Sequence, residues 1–129
     1  MQKIRSTKEQ GNAAFKTRCF ADAITCYEEA LTITKFRKSD VAKEESNLTA
    51  EELTSIQADK AELESIHQAL LSNLAMCYQK KSLFNESCFY NDQCLELNPA
   101  HVKARFRRVV LLCHDAEFDQ ARNLADQLI

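Results

Sequence analysis

Turn-forming residues are scarce in this chain, which has one glycine (Gly11) and one proline (Pro99) in 129 residues. A β-sandwich or a doubly wound α/β fold needs many tight turns, and those turns need Gly, Pro, Asn or Asp. The composition is 45% apolar, so a core can still form. We therefore expect an all-α protein with few connections, and the length suits one domain.

Long apolar runs and a strong net charge are also lacking. The longest strongly apolar stretch covers residues 109–113, whereas a membrane-spanning helix needs about 20 apolar residues. Residues 1–5 lead straight into helix-like sequence, without the apolar core of a signal peptide. The net charge of −2 argues against wholesale nucleic-acid binding. These absences predict a cytoplasmic protein, or a soluble module of a larger one, that binds neither membrane nor nucleic acid.

Metal-binding patterns are missing, although the chain has six cysteines and three histidines. No two cysteines form a C-x-x-C pair, and no histidine stands at ligand spacing from them. Most of the cysteines fall where a helix needs a small buried residue, a role that free cysteine fills well. The sequence therefore predicts no metal and no cofactor, with a zinc site or a disulfide framework as the alternatives.

Catalytic patterns are missing as well. The chain has no phosphate-binding loop, no glycine-rich turn and no nucleophile–base pair that the spacing supports. We therefore expect a binding protein rather than an enzyme.

A unit of helix, turn and helix recurs along the chain. Its landmark position is occupied by Gly11, Ala75 and Val109, so the steps are 64 and 34 residues. In each unit an aromatic residue opens the second helix, and a small residue follows three positions later, where two helices pack closely. These pairs are Phe20 with Ala23, Phe84 with Ser87, and Phe118 with Ala121.

The first step is longer than the second because of an insertion at about residues 34–66. Thr49 and Glu52 match a capping box, which starts a helix. Beyond them apolar residues step by threes, fours and sevens without a break, so one long helix is predicted over about residues 50–80. The preceding helix is predicted from about Ala21 to Lys38, and the polar segment 39–48 is expected to be a mobile link.

The 34-residue step, the Ala23-x-x-x-Tyr27 spacing and the closing Pro99 resemble the tetratricopeptide repeat (TPR). The long helices beside the insertion and the segment 72–78 resemble the TPR domains of heat-shock co-chaperones and large immunophilins. The resemblance implies three helix–turn–helix repeats stacked as a right-handed superhelix. They would span about residues 4–38, 68–101 and 102–129, without a final capping helix.

Five polar residues fall at corresponding places on the first helices of these units: Lys8, Asn12, Asn73, Lys103 and Arg107. The first two are four apart, as are the last two, so each pair lies on one helix face. In the resembled domains these positions form a dicarboxylate clamp that holds a C-terminal Glu-Glu-Val-Asp tail. Lysine offers a point charge, arginine a planar fork, and asparagine an uncharged donor. The resemblance implies a partner tail from a heat shock protein 90 or heat shock protein 70 chaperone.

Three further positions match secondary peptide contacts. Phe15, Met76 and Lys80 stand where the resembled domains flank the tail's valine and upstream acids, although Phe15 would equally suit the core. The segment 102–114 also carries four cations and no acid. Like charges four apart destabilise a helix, so an anionic partner would account for this run.

Two simpler interpretations stay open. A Lys–Arg pair on a helix commonly belongs to a solvated face, and Asn12 alone is typical of repeat packing. The chain could then be a TPR scaffold that holds a partner by surface packing, without recognising a C-terminal carboxylate. Because no capping helix follows the third unit, we also expect either a fragment of a larger protein or self-association through that end.

Overall fold

The computed structural model describes residues 2–45 and 48–127, with side chains through residue 116. These residues form five α-helices and no strand, which confirms the all-α prediction. None of the described helices is long and apolar enough to cross a bilayer. The helices are α1 (Gln2–Lys16), α2 (Phe20–Glu44), α3 (Ala50–Lys80), α4 (Phe84–Leu97) and α5 (Val102–Gln127).

The central element is α3. Helices that follow one another in the chain pack together, so α3 lies between α2 and α4. It also meets the two outer helices: Arg5 of α1 forms an ion pair with Glu62, and Arg107 of α5 donates to Ser72 Oγ at 3.1 Å. Helices α2 and α4 therefore pack on α3, while α1 and α5 pack on α2 and α4 and reach α3 through these side chains.

The long helix α3 begins and ends where the sequence predicts. Thr49 and Glu52 form the expected capping box, in which each backbone N–H donates to the other residue's side chain at 3.4 Å. The apolar residues that predict its length turn toward the core. Those that are buried are Leu63, Ile66, Leu70, Leu74 and Cys77.

The insertion is more helical than expected. Instead of ending near Lys38, α2 continues to Glu44, because Val41 is buried in the core. Beyond the helix, Glu45 accepts a hydrogen bond from Lys60 Nζ at 2.6 Å, which ties the link to α3. The expected mobile link is therefore wrong for residues 39–44, and residues 46–47 lie outside the described residues.

The turns of the first two units have the same backbone conformation. Arg18 and Ser82 both adopt a left-handed conformation, with φ of 62° and 61°, and they are separated by the same 64-residue step as Gly11 and Ala75. Phe20 and Phe84 then open α2 and α4. The internal similarity between units one and two is thus also seen in the backbone.

The third unit does not contain the predicted turn. The position equivalent to Ser82 is Ala116, and α5 continues through it without interruption to Gln127. Alanine is the strongest helix former, and neither glycine nor proline follows it. The expected helix–turn–helix at residues 102–129 is therefore a single described helix. The side chains of Phe118 and Ala121 lie outside the described residues.

Small residues allow the close packing that the repeat pattern predicts. Ala23 and Ser87 are fully buried, and Ser87 Oγ donates to the Ala75 carbonyl at 2.7 Å. Gly11 has the same role in the first unit, because a Cβ atom there would lie 2.7 Å from Cε1 of Tyr27. The absence of larger side chains at these positions sets the distance between paired helices.

Gly11→Ala should therefore destabilise the protein by about 1–3 kcal/mol, although alanine favours a helix interior by about 1 kcal/mol over glycine. The buried ring of Tyr27 would have to move away from the added methyl group. Urea unfolding measures the change, with Gln10→Ala on the exposed side of α1 as a control expected within about 0.5 kcal/mol. Equal stability of the two variants would contradict the close packing.

A polar cluster joins α2 to α3. Lys38 Nζ donates to Glu64 Oε2 at 2.8 Å and lies 3.0 Å from His67 Nδ1. His67 is buried, and its Nε2 atom has no hydrogen-bond partner in the described part of the chain. Burial, and then the positive charge of Lys38, lower the pKa of His67 from 6.5 to about 4. The imidazole is therefore neutral in the folded protein at neutral pH.

Acid should destabilise the protein through His67. Below pH 6.5 the unfolded chain binds a proton at this imidazole that the folded protein takes up only near pH 4, so stability falls as the pH falls through this window. When the pH is lowered from 7 to about 4.5, the free energy of unfolding should fall in both proteins. The fall should be smaller in His67→Gln than in the wild type, by on the order of 1–2 kcal/mol. Urea unfolding at both pH values measures the difference, and parallel losses would count against it.

Candidate anion-binding groove

One face of α3 carries the candidate site. Glu62, Ile66, Asn73, Met76 and Lys80 recur at spacings of three, four and seven, so they lie on the same side of the helix. The first two line a cavity of about 410 Å³ between α1 and α3. The last two line a cavity of about 690 Å³ between α3 and α5. We call this face, with the α1–α3 cavity and the α3–α5 cavity, the inner groove.

The α1–α3 cavity contains Lys8 and Asn12, as the clamp interpretation requires, but its charges are balanced. Lys8 is half-buried, and Glu9 and Glu62 line the same cavity. Glu62 already pairs with Arg5. Two cations and two carboxylates therefore leave this end of the groove without a net charge.

The amide of Asn12 is oriented by a buried tyrosine. Tyr27 donates its hydroxyl proton to Asn12 Oδ1 at 2.5 Å. Burial raises the pKa of Tyr27 to about 12, so this hydroxyl remains a donor at neutral pH. Because the amide oxygen is occupied, the Asn12 NH2 group is the part left to donate to a ligand.

The α3–α5 cavity is cationic. Its charged lining consists of Lys80, Lys103 and Arg107, with no acid. None of the three forms an ion pair within the described residues. The rest of the lining is largely apolar and includes Met76 and Phe106. This cavity is therefore suited to an anionic group attached to an apolar segment.

Arg107 is the least expected member of the site, because it is only 8% exposed. Its Nη1 donates to Ser72 Oγ at 3.1 Å and to Asn91 Oδ1 at 3.2 Å. Asn91 is 1% exposed and is itself held by a 2.9 Å hydrogen bond from Nδ2 to the Ala104 carbonyl. Arg107 is thus fixed by residues from α3 and α4 as well as by its own helix.

The partners of Arg107 are neutral, so its charge is not compensated within the described chain. Burial lowers the pKa of this guanidinium, yet arginine remains charged in proteins. A buried cation without a counter-ion costs free energy. The guanidinium N–H groups other than those on Nη1 make no hydrogen bond to the described residues. They remain as donors in a cavity that an anion can enter.

Asn73 lies between the two cavities and lines neither of them. It is half-buried and forms no hydrogen bond within the described part of the chain. Ser72, the residue before Asn73 in α3, accepts the hydrogen bond from Arg107 of α5. The Arg107 side chain therefore reaches α3 beside Asn73. The five predicted clamp residues therefore fall into a pair in each cavity and one residue between them.

The secondary residues take two places. Met76 and Lys80 line the α3–α5 cavity with Arg107. Phe15 is half-buried against the core and packs edge-on against Phe20, with ring centroids 5.4 Å apart, while lining a further cavity that also contains Lys80. Phe15 therefore packs against the core while one side of it lines a cavity, and its contact with a peptide stays a prediction.

Sequence reasoning misses the two residues that hold Arg107. Asn91 replaces the aromatic residue that is common at that position of the tetratricopeptide pattern, and Ser72 lies in the segment 72–78 that resembles the co-chaperone domains. A polar residue at an otherwise buried repeat position, 16 residues before a cation, is the signal that could have identified Asn91. Because Arg107 donates to Asn91 Oδ1, Arg107→Ala would leave that buried oxygen without a donor and would weaken the fold as well as remove a cation from the cavity.

The cysteines are less uniformly buried than expected. Cys77 and Cys94 are buried and Cys26 and Cys88 are half-buried, but the other two, at positions 19 and 113, are exposed, and all six are free. Within the described residues, no group of three or more His, Cys, Asp or Glu side chains could hold a metal ion.

Comparison with known proteins adds no family assignment. No protein-family model and no curated protein matches the chain. The TPR resemblance therefore depends on the residue pattern, and what it implies about partners is a proposal.

Proposed function

We propose that the inner groove binds the acidic C-terminal tail of another protein through its terminal carboxylate. The observation that carries the proposal is the buried, uncompensated charge of Arg107, in a cavity whose other charged groups are Lys80 and Lys103. A carboxylate would supply the missing counter-charge. The likeness of the five polar residues to a co-chaperone clamp suggests a chaperone tail of the heat shock protein 90 or heat shock protein 70 class.

A C-terminal aspartate suits the groove because it presents two carboxylates. Ile66 and Met76, one from each cavity lining, are ten residues apart, which corresponds to roughly 15 Å along α3. A terminal residue beside Asn73 would lie between the cavity lined by Lys8 and the cavity lined by Lys103. The upstream residues would then lie against the apolar lining of the α3–α5 cavity.

The expected affinity is moderate. Each charge-assisted hydrogen bond contributes about 1.5–3 kcal/mol. Ordering a flexible tail and desolvating its carboxylates offset much of that gain. A binding free energy of about −8 kcal/mol, or a roughly micromolar Kd, is the resulting expectation.

A free-acid peptide ending in Glu-Glu-Val-Asp should bind at least tenfold more tightly than its C-terminal amide, because amidation removes one charged acceptor. Lys103→Ala should weaken binding of the free acid by about tenfold, or about 1.4 kcal/mol. Arg108→Ala is the matched control, since Arg108 is an exposed cation of the same helix that lines a different cavity, between α4 and α5. Isothermal titration calorimetry measures both effects.

Two results would contradict this proposal. The first is equal affinity for the free acid and the amide. The second is an equal loss of affinity in Lys103→Ala and Arg108→Ala, since the peptide would then be attracted by the overall positive charge of α5 and not by the α3–α5 cavity.

A scaffold that binds by surface packing is the second candidate, and the exposed apolar side of α5 favours it. Val102 is 78% exposed and Phe106 is 72% exposed, and Val109 and Leu112 are also exposed. Large exposed apolar patches commonly mark protein–protein contacts. The expected self-association would use the same helix. The affinity of a partner held in this way would not change when its C-terminus is amidated.

A further inference from the structure

A third cavity, of about 520 Å³, lies beside the turn that joins α1 to α2. We call it the α1–α2 cavity. Its lining consists of three cations and two aromatic residues and contains no acid: Lys16, Arg18, Lys80, Phe15 and Phe20. Such a lining accepts an anionic group and rejects a cationic one.

The wall of this cavity is well defined. Phe15 and Phe20 form the edge-to-face pair, which fixes the two rings against each other. The turn between them is held by hydrogen bonds from Arg18 N to the Phe15 carbonyl at 3.0 Å and from Cys19 N to the Ala14 carbonyl at 2.9 Å. The left-handed backbone of Arg18 is therefore kept in place by the turn itself.

The three cations have no counter-ion among the described residues. No ion pair involves Lys16, Arg18 or Lys80. Asp22, on the first turn of α2, does not line this cavity. It lines an adjoining cavity to which Arg18 and Lys81 also belong, and it forms no ion pair with either in the described part of the chain. A concentration of positive charge in a chain whose net charge is −2 needs an explanation other than overall composition.

The α1–α2 cavity adjoins the proposed peptide site, because Lys80 lines both this cavity and the α3–α5 cavity. From Asn73, beside the proposed terminal carboxylate, to Lys80 is seven residues of α3, or roughly 11 Å. An extended peptide advances about 3.3 Å per residue. About three residues of the tail would cover this distance, and the cavity extends beyond Lys80 to Arg18. Residues about three to five positions before the last residue, which are the fourth to sixth from the end, would therefore reach the α1–α2 cavity.

We propose that the α1–α2 cavity is a second anion-binding site, which takes a carboxylate or phosphate on a side chain about three to five residues before the last residue of the bound tail. The proposal rests on the proposed function for the position of the tail. Arg18 would provide a planar fork for the oxyanion and Lys16 and Lys80 point charges, while the phenylalanine pair contacts the neighbouring apolar atoms. A phosphate presents more charge and more acceptor oxygens than a carboxylate.

The test uses acidic-tail peptides that carry serine, aspartate or phosphoserine at the fourth, fifth or sixth residue from the end, each as free acid and as amide. At one of these positions, replacing serine by an anionic residue should tighten binding to the wild type at least fivefold. Arg18→Gln should abolish that gain. Arg108→Gln is the matched control. It removes the same charge at a residue of α5 that lines the cavity between α4 and α5, and the gain in affinity should remain.

The outcomes separate the two sites. A gain with phosphoserine alone assigns the cavity to phosphate, and a gain with both anions assigns it to acidic side chains in general. Equal binding of the three peptides at every position, or a gain that survives Arg18→Gln, would overturn the proposal. The preference for free acid over amide should be unchanged in Arg18→Gln. If that preference is absent while an Arg18-dependent gain persists, the terminal-carboxylate proposal fails and the second site stands.

Discussion

The buried guanidinium of Arg107 is the constraint on which the account of this protein depends. Removing an arginine from water is costly, and neutral acceptors such as Ser72 and Asn91 compensate only in part. The same hydrogen bonds join α3, α4 and α5 at one point. The arrangement holds a charged group rigidly at the wall of a cavity, so an arriving carboxylate would meet a donor that needs little further ordering.

The groove exists because α3 is long and its neighbours pack closely against it. A single helix of 31 residues presents both cavities on one face. Gly11, Ala75 and Ser87 keep the paired helices close, and the latter two share a buried hydrogen bond. The positions of Lys8, Asn73 and the cations of α5 therefore follow from core packing, because each side chain is placed by a helix that the core fixes.

Charge is unevenly distributed around this groove. The α1–α3 cavity contains as many acids as bases, whereas the α3–α5 and α1–α2 cavities contain bases only. Lys80 belongs to both cationic cavities. Uncompensated positive charge is therefore concentrated near the C-terminal end of α3, whereas the sequence pattern predicts equal parts for Lys8 and Asn12 at the other end of the groove.

Local signals predicted some elements to the residue and missed others. The start and end of α3 follow from Thr49, Glu52 and an unbroken apolar series, all of which act within one helix. The continuation of α5 past Ala116 was missed because a repeat pattern was extended to a position whose own residues favour a helix. The burial of Arg107 could not be predicted from α5 alone, since Asn91 and Ser72 come from other helices. Likewise, the pairing of clamp residues into two cavities depends on how α1 and α5 approach α3.

A double-mutant cycle between Arg107→Met and C-terminal amidation of an acidic tail peptide tests the central claim most directly. Methionine is similar in length and apolar, and circular dichroism would verify that the variant is folded. If a carboxylate compensates the buried charge, the coupling should equal most of what amidation costs the wild type, about 1.4 kcal/mol or more, so that amidation costs little in the variant. Effects that add to within about 0.5 kcal/mol would show that Arg107 does not meet the terminal carboxylate.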